Sequence, residues 1–418
     1  QALGLSVAIG RIDARWDGLH PDLSLSDVRI ADRQGQPALA FDRVRGVLSW
    51  TSLVRWQLRL RLLTIDEPVL HLRRDVDGRL HVAGLPISED GGNSAFGDWV
   101  LIQRRIRIRG ATLVWEDAKR GAPPLILEDV NLALDNQGRK HRFGLTALPL
   151  EDSTSRIDLR GELIGQDLAR PDSWQGQLFG QLDYTDLAIW RIWLDYPVAL
   201  PQGRGALRAW LRISDGQPRE LTADLAIADV RLQLADDLPT LELERLSGRL
   251  SAQILPAGWR IDGRQLEMLS RPAAVATVAE ERVRVGPTDF HLEWQREKDG
   301  QNLRGSASAS VLDLGALAGL AAYLPLEPAR RAALSDLSPR GQLSELRVNW
   351  LGNGEKLQTY QIKGRFTQLA IKPQAHWPGV TGLAGSVDAS ERGGQTTLQA
   401  QKVVIDVPSV FPESSIPL

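Results

Sequence analysis

The chain has 418 residues, of which 43% are hydrophobic and 24% are charged, and this composition excludes wholesale disorder. Its 50 Lys and Arg residues against 52 Asp and Glu residues leave a net charge of −2, so no nucleic-acid partner is expected. The absence of cysteine excludes disulfides, thiolate metal sites and thiol nucleophiles.

The sequence was also searched for a signal peptide and for membrane-spanning segments. The chain begins with Gln1 instead of Met, and no signal-peptide pattern follows, so we expect that a segment has been removed upstream. The longest uncharged apolar stretch, 314–326, is shorter than the roughly 20 residues that a spanning helix needs. No membrane-spanning helix is therefore predicted.

Apolar and polar residues alternate along most of the chain, which predicts β-strands with one apolar face. The first clear case is 55–62, where Trp56, Leu58, Leu60 and Leu62 share one face and Arg residues occupy most of the other. The same phase selects further face residues in chain order: Ile106, Ile108, Ile157, Leu159, Leu163, Leu178, Leu182, Leu221, Leu225, Leu241, Leu243, Val283, Val285, Leu292, Trp294, Ile362 and Phe366.

Turns and helices between these strands are short. The runs 69–74 and 79–83 are separated by Asp75-Val76-Asp77-Gly78, which predicts a hairpin. Short helices are predicted near 187–196 and 314–334, the second one capped by Asp313. Because long helices do not alternate with the strands, antiparallel pairing is favoured.

Isolated glycines recur on the apolar faces of the strands, as at Gly161, Gly180 and Gly385. Such glycines mark bulges, bends or close backbone approaches. The predicted fold is therefore mainly β: a long, curved antiparallel sheet that forms an elongated hydrophobic groove, with a few short helices.

Motifs of catalysis are lacking. The six His residues do not fall at metal-ligand spacing, and the sequence holds no nucleophile elbow and no phosphate loop. Acidic neighbours such as Glu116 and Asp117 would serve a glycosidase only at a separation of roughly 5–10 Å between carboxyl groups. No catalytic residue, metal site or cofactor is predicted, and an enzyme is the third choice among the functions considered.

Two interpretations of the apolar faces stay open. One-faced strands over 418 residues, with few helices, supply much apolar sheet and little to cover it. Either the faces form a trough for acyl chains, or they cover each other as the dry core of a structural or interaction scaffold. The run Arg105, Arg107 and Arg109 would likewise either meet anionic lipid headgroups or hydrate an outer face.

Several segments along the chain carry a resemblance to a known family: WDGLHPDLSL at 16–25, DVRI at 27–30, PVL at 68–70, DGRL at 77–80, YLPL at 323–326, LSPRG at 337–341 and WPGVTGLAGSVD at 377–388. They resemble segments of the AsmA-like family of bridge-type lipid-transport proteins. The resemblance implies an inner-membrane helix followed by a long periplasmic β-groove that takes part in phospholipid movement between the two membranes of Gram-negative bacteria. It supplies no motif of binding residues.

On this resemblance the chain is expected to be the periplasmic, membrane-proximal portion of a longer protein. Residues 1–145 are predicted to form the N-terminal region and 146–418 the continuing groove segments. The implied partners are phospholipid, the inner membrane through a missing N-terminal helix, and outer-membrane or periplasmic proteins.

Overall fold

A computed structural model describes residues 6–31, 37–52, 56–82, 85–86, 95–150, 155–166, 170–195, 198–271, 283–298, 300, 302–353, 357–374, 378–399, 403–407 and 416–417. The chain forms two compact units. Unit 1 comprises Gln1–Asp195 and Ala206–Arg219, and unit 2 comprises Tyr196–Gly205 and Glu220–Leu418. The predicted regions 1–145 and 146–418 concern family organisation and stay a prediction.

Unit 1 is built from strands and short helices. The strands are β1 (Ser6–Asp17), β2 (His20–Ala31), β3 (Pro37–Leu48), β4 (Leu60–Asp66), β5 (Val69–Arg74), β6 (Leu80–Val82), β7 (Leu85–Pro86), β8 (Arg105–Asp117), β9 (Ala122–Gln137), β10 (Lys140–Pro149), β11 (Ile157–Ile164) and β12 (Gln175–Asp186). Its helices include α1 (Ala95–Ile102) and α2 (Leu187–Trp190), and a 3-10 turn covers Pro171–Ser173. Strands β13 (Ala199–Ser214) and β14 (Gln217–Gln233) contribute residues to both units.

Unit 2 repeats this plan. Its further strands are β15 (Leu241–Leu255), β16 (Gly258–Ser270), β17 (Arg284–Arg296), β18 (Leu303–Asp313), β19 (Arg340–Gly352), β20 (Leu357–Ile371), β21 (Gly379–Ser390), β22 (Gly393–Gln399), β23 (Val404–Asp406) and β24 (Ile416–Pro417). Its helices are α3 (Leu314–Leu320), a 3-10 turn at Ala321–Tyr323, and α4 (Pro328–Leu337). The predicted class, a mainly β antiparallel fold with a few short helices, is confirmed.

Pairing within each unit follows chain order and is almost entirely antiparallel. Among the pairings of the described residues, the parallel ones are those of β8, first with β4 and then with β5. The break between β4 and β5 is closed by backbone hydrogen bonds, from the Glu67 N–H to the Arg109 carbonyl (2.8 Å) and from the Thr112 N–H to the Pro68 carbonyl (3.0 Å). The two strands therefore act as one interrupted edge for β8.

β-Bulges interrupt the strands, and each bulge changes the apolar phase by one residue. In β9 the bulge at Asp129, which has a φ of 45°, separates Leu125 and Leu127 from Val130 and Leu132. Comparable bulges with positive φ lie at Gln265, Glu345 and Gln368 in unit 2. Because an extra residue bends the strand and restores the side-chain phase, the apolar residues stay on one face while the sheet curves.

The end of α1 is fixed to the sheet by buried amide side chains. Gln103, which has no solvent exposure, accepts a hydrogen bond from the Leu60 N–H (2.7 Å) and donates one to the Trp99 carbonyl (2.6 Å). Asn136 donates to the Val100 and Gln103 carbonyls at 3.0 and 2.7 Å. These bonds satisfy carbonyl groups that the helix end would otherwise leave unpaired.

His141 extends this buried network. Its Nδ1 lies 2.8 Å from Asn136 Oδ1 and its Nε2 lies 3.3 Å from the Gly165 carbonyl. Its ring lies 5.3 Å from that of Trp174, and both side chains are buried. Burial lowers the pKa of the His141 imidazole, and the contact with the Gly165 carbonyl opposes this effect.

We expect His141 to make the free energy of unfolding depend on pH. The unfolded imidazole takes up a proton near pH 6.5, whereas the folded one does so at a lower pH because it is buried. The unfolded state therefore binds more protons below about pH 6.5, and stability decreases as the pH falls through that value. Urea unfolding at a series of pH values should show a smaller decrease for His141→Gln than for the wild-type chain. Equal pH dependence in both proteins would contradict this assignment.

The predicted hairpin and the Asp313 cap are present, and the helix predicted near 187–196 is shorter than expected. The hairpin is confirmed, since Arg74 pairs with Leu80 across the turn. Asp313 caps α3 as predicted, accepting a hydrogen bond from the Ala316 N–H at 2.9 Å. The helix predicted near 187–196 is shorter: α2 ends at Trp190, and turns continue the chain to Trp193.

The prediction of one strand over 55–62 is wrong for residues 56–62, and Arg55 lies outside the described residues. Residues 57–59 lie outside strands, Trp56 has a φ of 49° and is 95% exposed, and β4 begins only at Leu60. Ser52 Oγ accepts a hydrogen bond from the Arg59 N–H and donates one to the Arg59 carbonyl, so the residue before β4 is held by a side chain and not by strand pairing. Within β4 an irregularity then places Leu60 opposite Leu48 but Leu62 opposite Val47. Because Leu48 and Val47 are neighbours in β3, the side chains of Leu60 and Leu62 lie on opposite faces of the sheet.

Candidate functional site

Two rows of directly paired apolar residues cross the sheet of unit 1 and define its inner face. They run over nine strands, from β1 to β4 and from β8 to β12. The first row is Ala14, Leu23, Gly46, Leu63, Ile106, Leu134, Phe143, Gly161 and Leu178. The second is Ile12, Leu25, Val44, Ile65, Ile108, Leu132, Leu145, Leu159 and Gly180.

Short helices cover part of this face. Under α1, Val44, Leu63 and Ile106 are buried in one cluster with Trp99 at its border. Trp190 of α2 borders a second cluster that contains Ile157. Toward β10–β12 the rows become half-exposed, and Leu159 reaches 42% exposure.

Unit 2 carries a corresponding inner face with two uncovered rows. One row is apolar on all eight strands from β14 to β21: Leu221, Ala252, Ile261, Leu292, Ala307, Val348, Ile362 and Ala389. The adjacent row is largely aromatic: Ile254, Trp259, Trp294, Gly305, Trp350 and Tyr360. None of these residues except Gly305 is buried. We call these two rows the open strip of unit 2.

Glycine and aromatic residues are paired across strands on both inner faces. A Cβ on Gly161 would lie less than 3 Å from the Phe143 ring, and one on Gly305 would lie equally close to the Trp350 ring. The rings therefore lie down over the neighbouring glycine instead of standing away from the sheet. This arrangement keeps the apolar surface low and continuous.

The opposite face of the sheet is polar and crossed by ion pairs. Arg107 binds Asp135 through two hydrogen bonds of 2.9 Å, and Lys363 lies 2.7 Å from Asp388. Lys140 and then Arg142 lower the pKa of Glu162 through hydrogen bonds. Ion pairs that solvent reaches contribute little stability, but they keep this face hydrated. The two faces of each sheet thus differ sharply in polarity.

Helix α3 covers another part of the inner face of unit 2, which the bulges at Gln265, Glu345 and Gln368 separate from the open strip. Ala316, Leu320 and Ala321 are buried, and a Cβ on Gly319 would lie less than 3 Å from the Val283 side chain. Helix α4, described over its full length, contains no buried residue. The open strip therefore lies beside a part of the sheet that the protein covers with its own helix.

The structure divides the residues predicted from strand phase into three groups. Half-exposed or exposed on the inner faces are Ile108, Leu159, Leu163, Leu178, Leu182, Leu221, Leu225, Leu292, Trp294 and Ile362. Buried in cores are Leu60, Ile106, Ile157, Leu241, Leu243, Val285 and Phe366, and Val283 is half-buried beside Gly319 of α3. Trp56, Leu58 and Leu62 do not belong to the inner face.

Other members of the inner faces were missed by the sequence reasoning. Phe143, Leu145, Trp259, Val348 and Trp350 all lie in the rows defined above. Each also lies in an alternating segment, so strand phase could have found them. What the sequence does not display is the register that brings them together.

The described residues offer no arrangement for metal-dependent chemistry: among them, three or more His, Asp or Glu side chains do not come together as a metal site. Within the same described residues, no helix has the length and apolarity to cross a membrane. The most extensive feature is therefore the apolar inner face of each unit.

Comparisons with known proteins agree with the resemblance noted from the sequence. No curated protein and no solved structure matches the chain. The family described as YhdP protein matches residues 1–417, and the AsmA-like resemblance is consistent with this match. The chain belongs to the YhdP family.

Proposed function

We propose that the inner face of each unit binds phospholipid acyl chains and shields them from water during passage between the inner and outer membranes. The observation that carries this proposal is the open strip of unit 2, an uncovered apolar surface that extends over eight paired strands. Membership in the YhdP family supports a role in the Gram-negative envelope. The role is passive and not enzymatic.

The dimensions of the strip suit an acyl chain. Eight strands at about 4.8 Å spacing give a row of about 34 Å. One leaflet contributes only about 15 Å to a hydrocarbon core of roughly 30 Å. A chain lying along the row would therefore find apolar contacts over its whole length, and each CH₂ removed from water would contribute about 0.8 kcal/mol.

The arrangement of polarity supports the placement of the headgroup in water. Apolar side chains occupy the inner face, and ion-paired side chains such as Arg107 and Lys363 occupy the other. A lipid on the inner face would thus keep its headgroup at the open side, where solvent remains. We propose that the full-length protein works in the periplasm, anchored to the inner membrane by an N-terminal helix, with outer-membrane or periplasmic proteins as further partners.

The second candidate is a scaffold for envelope assembly whose inner faces are covered. It is favoured by the two buried clusters beneath α1 and α2 in unit 1. A scaffold would have no need of half-exposed apolar rows, whereas a lipid carrier would.

The test is native mass spectrometry of the purified chain, followed by organic extraction of bound molecules. We expect phospholipid to remain bound through purification, and delipidated protein to take up phospholipid from vesicles. Protein that stays free of lipid in both experiments would overturn the proposal and favour the scaffold. Lipid that is bound in the cell could be lost during purification. Loading the delipidated protein from vesicles tests binding without that loss.

A further inference from the structure

Unit 1 contains a cavity that is separate from its inner-face rows. The cavity has a volume of about 240 Å³ and lies where β2, β4 and the end of α1 meet. Its lining combines four basic side chains, two hydroxyls and two apolar residues: His20, Arg59, Arg61, Arg104, Ser49, Thr51, Leu60 and Ile102. Among the residues that the structure describes, the lining contains no carboxylate, although Asp and Glu are as frequent in the chain as Lys and Arg.

Backbone contacts hold the walls of the cavity in place. The Ser49 N–H donates to the Arg59 carbonyl (3.0 Å), and the Arg104 N–H donates to the Leu60 carbonyl (3.1 Å). Trp50 Nε1 donates to the Leu19 carbonyl at 3.1 Å, which fixes the turn before His20. The basic residues thus come from three separate segments that are tied together independently of any ligand.

Two nitrogen atoms of the cavity are buried without a hydrogen-bond partner among the described residues. They are His20 Nδ1 and Arg59 Nε. The rest of the Arg59 guanidinium is only partly satisfied, through a bond of 3.1 Å from Nη2 to Gln57 Oε1. A buried polar group without a partner costs about 1–3 kcal/mol, so a ligand that accepts hydrogen bonds here would remove a penalty that the folded chain carries.

Charge and geometry together select the ligand. Three Arg residues and, among the described residues, no acid line the cavity, and Ser49 Oγ and Thr51 Oγ1, 2.8 Å apart, belong to two further lining residues. Guanidinium groups bind phosphate oxygens through charge-assisted, often paired hydrogen bonds. We infer that this cavity binds a phosphate group.

The phosphate could come from a lipid headgroup or from a free phosphate. The surroundings favour the headgroup, because exposed apolar side chains flank the basic residues: Leu19 is 80% exposed, and Leu58, next to Arg59, is 55% exposed. Such side chains beside a basic site suit the boundary between headgroups and acyl chains. The inference does not rest on acyl-chain binding by the inner faces, since the cavity is lined by other residues.

The experiment is isothermal titration calorimetry of the 418-residue chain. Inorganic phosphate is one ligand, and dihexanoylphosphatidylglycerol below its critical micelle concentration is the other. The variant Arg59→Gln/Arg104→Gln removes two of the lining cations. Arg208→Gln/Arg347→Gln removes the same charge from exposed strand positions, in β13 and β19, and is the matched control. We expect the first pair to weaken binding at least tenfold and the control pair to weaken it less than twofold.

The two titrations distinguish a lipid headgroup from free phosphate and test whether the cavity binds phosphate at all. Tighter binding of the short lipid than of inorganic phosphate, by tenfold or more, identifies a headgroup, and equal binding identifies free phosphate. Absence of binding by both probes at 10 mM, or equal losses in the two variants, would overturn the site. If the double variant fails to melt like the wild type, Arg61→Gln, an exposed lining position, takes its place. Lipid retention in native mass spectrometry reports separately on the inner faces.

Discussion

Replacing Ile362 with Asp is expected to reduce the phospholipid bound per chain at least tenfold. Ile362 lies within the fully apolar row of unit 2, paired with Val348 on one side and Ala389 on the other. A carboxylate there would have to lose its hydration beneath an acyl chain, which costs several kcal/mol. Since about 1.4 kcal/mol corresponds to a tenfold change in affinity, even partial desolvation suffices.

The matched control for this change is Gln361→Asp. Gln361 is the preceding residue of the same strand, is exposed and has the opposite strand phase, so it adds the same charge to the polar face. Lipid bound per chain, counted by native mass spectrometry after loading from vesicles, should stay at the wild-type level in this control. Thermal unfolding of both variants verifies folding, and we expect only a small loss for Ile362→Asp because Ile362 is not fully buried. Retention of lipid by folded Ile362→Asp would count against binding on the open strip.

A second position extends the test to unit 1. Leu159 was selected by strand phase and is 42% exposed in its row, so Leu159→Asp should fold. If only the unit 2 variant lost lipid, binding would be confined to that unit. A decrease in both would show that each inner face holds acyl chains.

Strand phase predicted much of this fold because each face of a curved sheet has a different solvent. The alternation at Ile106 and Ile108, or at Leu292 and Trp294, reflects a polar outer face and an apolar inner face, and both pairs lie on the inner face. The prediction failed where alternation continued outside a strand. Trp56 and Leu58 keep the phase of β4, but the turn held by Ser52 precedes that strand.

The division into covered and open parts could not be predicted from phase. Leu243 and Leu292 both belong to alternating strands, yet Leu243 is 1% exposed and Leu292 is half-buried. The difference arises from the position of each residue relative to the bulges and to α3, which are properties of register and tertiary packing. Bulges at residues such as Gln265 carry no distinctive sequence signal, since Gln is not a residue that favours a positive φ.

The inner face of unit 2 stays flat because glycines face aromatic rings across neighbouring strands, both in the open strip and in the row beside it that contains Gly263 and Phe290, and this gives the second large expected effect. Gly263 pairs with Phe290, and a Cβ on Gly263 would lie less than 3 Å from three carbons of that ring. We expect Gly263→Ala to lower the free energy of unfolding by about 1–3 kcal/mol, because the added methyl overpacks the contact. Urea unfolding of the purified variant measures this loss.

A control and a compensating change make the cause identifiable. Gly286, in the adjacent strand β17, has nothing within 4 Å of its ideal Cβ, so Gly286→Ala should be neutral or slightly stabilising through the loss of unfolded-state entropy. Phe290→Leu in the Gly263→Ala background should recover part of the loss, giving a coupling energy of about 0.5–3 kcal/mol between the two sites. If Gly263→Ala were as well tolerated as Gly286→Ala, the ring would have other room to lie, and glycine would not be what keeps the inner face flat. A ring forced upright by the methyl would also project into the path of an acyl chain, so the same variant should lose lipid beyond what its lower stability accounts for.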